Sequence, residues 1–391
     1  MPTVAFPFVE VQIDTSALAP VAQRAPGVIA IVGKTPAGSD GGTGAVNTPF
    51  AIDGLDQAAG LFAKVSADGT VAETKLFAAI KLALLQDPRP SKLYGIRVEG
   101  DNYAAALSSL EAADDVTFVA LAGETAVGAA ASDTSPATNL LALKDHVEAM
   151  SAEGQKRLGV AMIDPAIPKS STYVHDVVTA VQALKSDSSR MILVAARGAT
   201  GDAATAAMAA MAGFQPQVSM VLKRIRGLSI PVGNQYGPSE IRALAEQNID
   251  PIIDPDLIPG EGLHFAEGRC FTTDESLLYI DLVRVLDDIE FRLKAGLIGS
   301  VGDARITKFG MTNLKTRVEG ILGPLQQAGV IADFSIEIPV LNILALPDNA
   351  RTATDTAILT TARAERTVDV VVTVTYGPAV HRLKLTLKPK F

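Results

Sequence analysis

The chain has 391 residues, enough for two or three domains with cores of their own at roughly 100 to 200 residues each, and its 48% hydrophobic and 20% charged content is that of a folded globular protein rather than a disordered or fibrous one. A formal charge of -9 argues against a binder that tracks nucleic-acid phosphates, which needs Lys and Arg in excess on one face. The lone cysteine, Cys270, excludes a disulfide framework within the chain and fits assembly in a reducing cytoplasm, and no apolar run approaches the roughly 18 residues of a membrane span.

Residues 1–22 are expected to form an extended N-terminal β arm. Phe6 and Phe8, then Val11 and Ile13, alternate with other residues in two runs set out of phase by Pro7. This segment has no Lys or Arg and no continuous apolar core, so neither a signal peptide nor a transit peptide is expected.

Residues 23–226 read as an α/β domain. Apolar runs at Val28–Val32, Lys92–Val98, Val116–Leu121, Leu158–Ile163 and Met191–Ala195 alternate with helical patterns. Those helices are predicted at Leu55–Lys64, Thr74–Gln86, Tyr103–Ala112, Leu140–Ala152, Tyr173–Lys185 and Ala203–Met211. Strand then helix, repeated, predicts a largely parallel sheet.

Residues 227–366 read as a more helical α+β domain. Pro238 suits the first turn of a helix, and Thr272 to Glu275 has capping-box spacing ahead of the longest helix, whose apolar stripe is Leu282, Val285, Leu286, Ile289, Leu293 and Leu297. Asp287 and Asp288 are expected on its solvated face. A further helix is predicted over Thr312–Gln327 and a strand over Ala332–Pro339.

Residues 367–391 are expected to form a C-terminal β arm, with Val370, Val372 and Val374 alternating first and Leu383, Leu385 and Leu387 following. Each arm needs a hydrogen-bonding partner, either in its own sheet or on a neighbour's sheet edge. Their charges are complementary, -2 over residues 1–23 and +3 over residues 367–391. Twenty-odd extended residues reach roughly 65 to 80 Å at about 3.3 Å each, far enough to cross onto another subunit.

Motifs for chemistry are weak. Gly33-Lys34-Thr35 ends like a phosphate-binding loop, but the first glycine is displaced by one position to Gly27, and Pro36 blocks the helix that would receive the phosphate. His146, His175, His264 and His381 are scattered, without metal-ligand spacing. No nucleophile elbow appears, and Asp254 and Asp256 flank Pro255 as in a turn. No catalytic residue, cofactor site or metal site is assigned.

Three segments then point to a family. Gln247-Asn248-Ile249-Asp250-Pro251-Ile252, Gly268-Arg269-Cys270-Phe271-Thr272 and Tyr279-Ile280-Asp281-Leu282-Val283-Arg284 come in this order, after an earlier Ala25-Pro26-Gly27-Val28-Ile29-Ala30-Ile31-Val32-Gly33. In motif, order and spacing the chain resembles the contractile tail sheath proteins of phages, tailocins and contractile injection systems. Asp250 and Cys270 depart from the family pattern. The short first half implies that the decoration domains of larger sheath proteins are absent.

The resemblance implies a virion structural protein rather than an enzyme. Such a subunit polymerises as stacked rings around an inner tube, with residues 23–226 as the outer domain, residues 227–366 as the inner polymerisation and tube-facing domain, and baseplate and tail terminator proteins as further partners, and contracts without consuming a nucleotide. It also implies arm exchange between subunits, so that strands of different chains complete one sheet. Assembly in the bacterial host cytoplasm follows, with no nucleic acid and no membrane insertion. Arg284, Arg292, Lys294 and Lys308 are the expected tube-facing groups. An α/β nucleotide- or substrate-binding enzyme is the alternative, because the first half is compatible with a doubly wound sheet and a ligand crevice; an unrelated oligomeric scaffold is a further one.

Overall fold

The computed structural model describes residue 25 and residues 27–258 and 262–382. They fall into two compact units, Ala25–Asp288 with the residues from Pro378 onward, and Ile289–Gly377. Phe6, Phe8, Val11, Ile13, Leu383, Leu385 and Leu387 lie outside the described residues.

The first unit is the expected α/β layer. Its strands are β1 (Val28–Lys34), β2 (Pro49–Ala51), a small β3 (Lys64–Val65) and β4 (Val71–Ala72) hairpin, β5 (Lys92–Val98), β6 (Phe118–Leu121), β7 (Leu158–Met162), β8 (Met191–Ala195), β9 (Arg224–Ile225), β10 (Asp250–Ile253) and β11 (Leu263–Phe265). Among the described residues a nine-stranded sheet runs in the order β2-β5-β1-β6-β7-β8-β10-β11-β9. It is parallel from β5 to β10, with β2 antiparallel at one edge and β11 and β9 antiparallel at the other. The strands Val28–Val32 and Met191–Ala195 are apolar at every position because both faces are covered, as parallel sheets require.

Alternate residues of β1 show the two faces. Ile29 and Ile31 pack with α1 (Leu55–Phe62), α2 (Lys75–Leu84) and α6 (Ala203–Gly213). Val28, Ala30 and Val32 pack with α3 (Tyr103–Ser108), α4 (Asn139–Ala152), α5 (Tyr173–Val181) and α7 (Pro238–Glu246). The Ala-rich α6 is buried from Ala203 to Ala212, small side chains letting it lie close on the sheet. At its end a Cβ on Gly27 would stand 2.0 Å from the Ala212 carbonyl oxygen, so that position of the quoted motif needs a glycine.

The α/β unit extends to Asp288, beyond the change in composition after Gly227. Helix α7 is one more crossover, and β10 adds to β8 through only two paired positions. Strands of two to four residues carry too little alternation to be read as part of a sheet. The expected capping box is also absent. Thr272 instead accepts from the Asp274 N–H at 3.0 Å and donates to the Ser186 carbonyl at 3.0 Å, and the helix starts later, as α8 (Ile280–Leu297).

Helix α8 leads into the second unit, which holds α9 (Lys308–Gln327), β12 (Asp333–Glu337), α10 (Pro339–Ala345), α11 (Ala353–Glu365) and β13 (Val371–Thr375). Met311, Ile338, Val340, Ile343, Leu359 and Ala362 form its core. A capping box does occur here, at Thr352 and Asp355 of α11, a helix that polar Thr and Arg residues left unread in the sequence. Among the described residues no helix is long and apolar enough to cross a membrane.

Candidate assembly surface

An α/β sheet conventionally binds ligands at the carboxyl ends of its strands, where the order of connection reverses. Here β1 lies between β5 and β6, so that point falls at Lys34. Lys34 meets Asp101 at 2.5 Å and Glu124 at 3.6 Å, and Tyr103 donates to Glu124 at 3.0 Å. Hydrogen bonding to Asp101 is the main cause that raises the Lys34 pKa. A Cβ on Gly33 would stand 2.7 Å from that of Ala122, so the backbone is packed where a phosphate loop would curl open.

Beyond β8 the space is filled again. The Arg197 guanidinium lies between the rings of Tyr173 and Tyr236, 4.4 and 4.6 Å from their centroids, and donates to both oxygens of Glu240. At the switch point and again beyond β8, charged side chains of the chain are thus paired with one another.

The histidines form no cluster, and His175 is exposed. Burial and the nearby Arg157 push His146 down to about 4, and His264 Nδ1 lies 2.9 Å from the Gly262 carbonyl oxygen. Asp254 and Asp256 are exposed. Asp287 is not a solvated helix charge, because it takes a bidentate ion pair from Arg190 at 2.6 and 3.0 Å. Among the described residues no group of three His, Cys, Asp or Glu side chains could hold a metal ion.

The three motif segments form one knot. Asn248 turns the chain between α7 and β10 in the left-handed region, φ 64°, and its amide donates to the Thr272 carbonyl at 3.0 Å. Arg269 donates to the Ala245 carbonyl at 2.8 Å and lies over Tyr279, while both oxygens of Asp250 accept from the Arg269 N–H at 3.0 and 3.1 Å.

Asp250 is fully buried, and burial raises its pKa well above the usual carboxylate range. An acid whose folded pKa is raised destabilises the fold at pH values above its unfolded pKa, and that penalty disappears as pH falls below it. Asp250→Asn keeps an acceptor for Arg269 and removes the charge. It is expected to raise the melting temperature by a few degrees at pH 7, at about 2 to 4 °C per kcal/mol for a unit of this size, with the gain vanishing near pH 4; calorimetry at both pH values checks this. Cys270 is buried beside Asp250, and burial raises its thiol pKa, which leaves it a core residue.

Of the four expected tube-facing groups, Arg284 is withdrawn. It is 6% exposed, lies over the Phe118 ring and donates to the Phe214 carbonyl at 2.7 Å, while burial pushes its pKa down to about 10. A cation at i+3 or i+4 from a visible apolar stripe reads as surface; the aromatic partner that buries it is 166 positions upstream. Lys294 is exposed and pairs with Glu290 at 2.5 Å, Lys308 opens α9 at the surface, and Arg292 is half-buried. Ile298, Val301 and Phe309, in the same stretch, are 70%, 77% and 77% exposed, a density of uncovered apolar side chains that marks contact surfaces.

The C-terminal alternation has two fates. Val372 pairs with Ile336 and Val374 with Phe334, so β13 completes a two-stranded antiparallel sheet with β12 of its own chain. Val370 packs against the core of that unit. Among the described residues neither outer edge of the pair meets a further strand, and a two-stranded ribbon is marginal by itself.

No family model and no curated protein matches the sequence. Solved structures do. The sheath complex of an extracellular contractile injection system, PVC, in its contracted state is similar at 14% identity and TM-score 0.65 over 99% of this chain and 98% of that one. The helical sheath of the anti-feeding prophage, also contracted, is similar at 14% identity and TM-score 0.61 over 99% of each chain. A sheath tail protein of Desulfitobacterium hafniense is similar at 12% identity and TM-score 0.55, over 84% of this chain and 93% of that one. From the first strand to the β12–β13 ribbon, the chain has the fold of the contractile sheath proteins.

Proposed function

We propose that this protein is a sheath subunit of a contractile tail or injection particle, polymerising around an inner tube and contracting to drive that tube through a target envelope. The observation that carries the reading is likeness over 99% of the chain to two contracted sheaths, each matched over nearly its full length. The α/β unit is taken as the outer part and the β12–β13 unit as the inner part.

The ribbon supports arm exchange. Its two edges present rows of N–H and C=O groups to which the N-terminal arm of one neighbour and the C-terminal segment of another can add by β-augmentation. A head-to-tail contact of this kind repeats without closing and builds a helical polymer. Each arm contributes modestly, at roughly 0.5 to 1.5 kcal/mol per net hydrogen bond, but every subunit repeats it. Contraction is then passage from a metastable extended polymer to a denser one, with no nucleotide. Assembly is placed in the bacterial cytoplasm, with baseplate and terminator proteins as partners at the ends.

Negative-stain microscopy of the expressed protein is the test. Striated hollow cylinders are expected; a stable monomer that never polymerises and binds a nucleotide overturns the reading.

Arg292, Lys294 and Lys308, with the exposed Ile298, Val301 and Phe309, are proposed to meet the tube. Reversing the three cations to Glu is expected to lower the melting temperature by several degrees at most, since a surface ion pair contributes about 0 to 1 kcal/mol and each kcal/mol shifts the midpoint by about 2 to 4 °C. Co-expressed with the tube protein, this variant should give contracted, empty sheaths; an unchanged yield of extended particles removes the assignment.

A further inference from the structure

After β13 the chain leaves the unit that contains the ribbon, and from Pro378 it belongs to the α/β unit. Two consecutive residues there make specific contacts. The Nε2 of His381 lies 2.9 Å from the Ser219 hydroxyl, and its ring stands edge-on to Tyr279 at 5.2 Å and 78°. Arg382 reaches the Glu267 carboxylate at 3.3 Å.

The receiving side is rigid. Glu267 is only 13% exposed and already faces Arg269 at 3.6 Å, while Tyr279 carries the Arg269 guanidinium over its ring, 5.8 Å from the centroid. Ser219 is held by the Val221 N–H at 3.3 Å. Arg382 itself is 75% exposed. An exposed cation laid on a largely buried carboxylate, with an aromatic ring beside it for the preceding imidazole, has the form of a fastening rather than of core packing.

We propose that His381 and Arg382 clamp the base of the C-terminal arm to its own α/β unit, and that this clamp fixes the point from which the exchanging strand departs toward a second copy of the chain. The inference rests on the sheath reading above and deepens it by naming which unit bears the arm. Residues 383–391 number nine, and nine extended residues reach about 30 Å beyond the clamp at about 3.3 Å each. Without it the tail beyond the ribbon's unit begins at Pro378, and its fourteen residues reach about 46 Å at about 3.3 Å each. A shorter tether whose span matches the neighbour's edge raises the effective concentration of the strand there and keeps it from wandering to other edges. It also makes any movement of the α/β unit a pull on the neighbour.

The test uses the full-length chain in two variants, so that a folding defect in one cannot hide the answer. Glu267→Gln with Ser219→Ala alters the receiving side; His381→Ala with Arg382→Ala alters the tail, outside both cores. Fast motion of the backbone at residues 380–382, read by NMR relaxation on unassembled chain, is expected to increase in both, with order parameters falling below about 0.6. The concentration needed for cylinders by microscopy is expected to rise about tenfold in both.

Backbone motion that is equal in wild type and variants overturns the clamp. Greater motion with unchanged cylinder formation overturns its role as the point of departure. Wild-type chain that never forms cylinders defeats the sheath reading instead, and the relaxation measurement still reports on the clamp.

Discussion

Removing residues 1–22, or residues 383–391, is expected to leave a folded monomer that forms no cylinders. Neither segment lies within the described cores, so the α/β sheet and the β12–β13 unit should keep their circular dichroism and melting behaviour. The polymer, by contrast, loses one link per subunit, and a head-to-tail lattice tolerates no such loss because every contact repeats. Normal cylinders from both truncations would remove arm exchange as the assembly device.

The structure moves the second cut. A deletion beginning at residue 367 takes away β13, which pairs with β12 at five positions and whose Val372 and Val374 face inward. That deletion strips a strand from the chain's own unit and confuses misfolding with failed exchange. The informative cut begins after the clamp, at residue 383.

Much of this was legible in the residues. Runs of five apolar positions bounded by Gly and Pro gave the parallel strands, because a strand covered on both faces admits nothing polar. Thr74, Asn102 and Asp202 cap α2, α3 and α6 with side-chain oxygens, so those helix starts could be read from capping chemistry.

What escaped had physical reasons. β9 and β11 are two and three residues long, below any period. α10 follows β12 directly with Pro339 in its first turn, and a proline after an alternating run reads as the end of structure rather than as the start of a helix. The site residues divide on the same line. Alternation found the valines of β13, and the strand over Ala332–Pro339, but not that the two pair, and helical spacing placed Arg284 on the surface because its burial depends on Phe118 and Phe214, which no local pattern connects to it.

The largest loss of stability among single changes is expected at Arg197. Its side chain is 1% exposed, and each of its three nitrogens has a partner: Nε donates to the Asn234 carbonyl at 3.1 Å, Nη1 to Glu240 at 2.8 Å, and Nη2 to the Gln235 carbonyl at 3.1 Å and to Glu240 at 3.3 Å. Its backbone N–H adds a bond to the Tyr236 hydroxyl at 2.8 Å, and that hydroxyl lies 2.9 Å from the one on Tyr173.

Arg197→Ala strands a carboxylate and two carbonyls and opens a gap between two rings, for about 3 to 5 kcal/mol, or about 10 °C at 2 to 4 °C per kcal/mol. Arg197→Lys keeps the charge but not the fork, and should recover less than half of it.

The pH dependence separates the ion pair from the packing. Hydrogen bonding from Arg197 holds the Glu240 carboxyl below its ordinary pKa. A depressed acid stabilises the fold above its unfolded pKa and loses that contribution as pH falls through the folded value. The deficit of Glu240→Gln relative to wild type should therefore be full at pH 7 and shrink below about pH 4.5, whereas the deficit of Arg197→Ala should persist in part, because the gap between the rings does not titrate. If the two deficits fade together, the cluster is held by charge alone and the tyrosines contribute only shape.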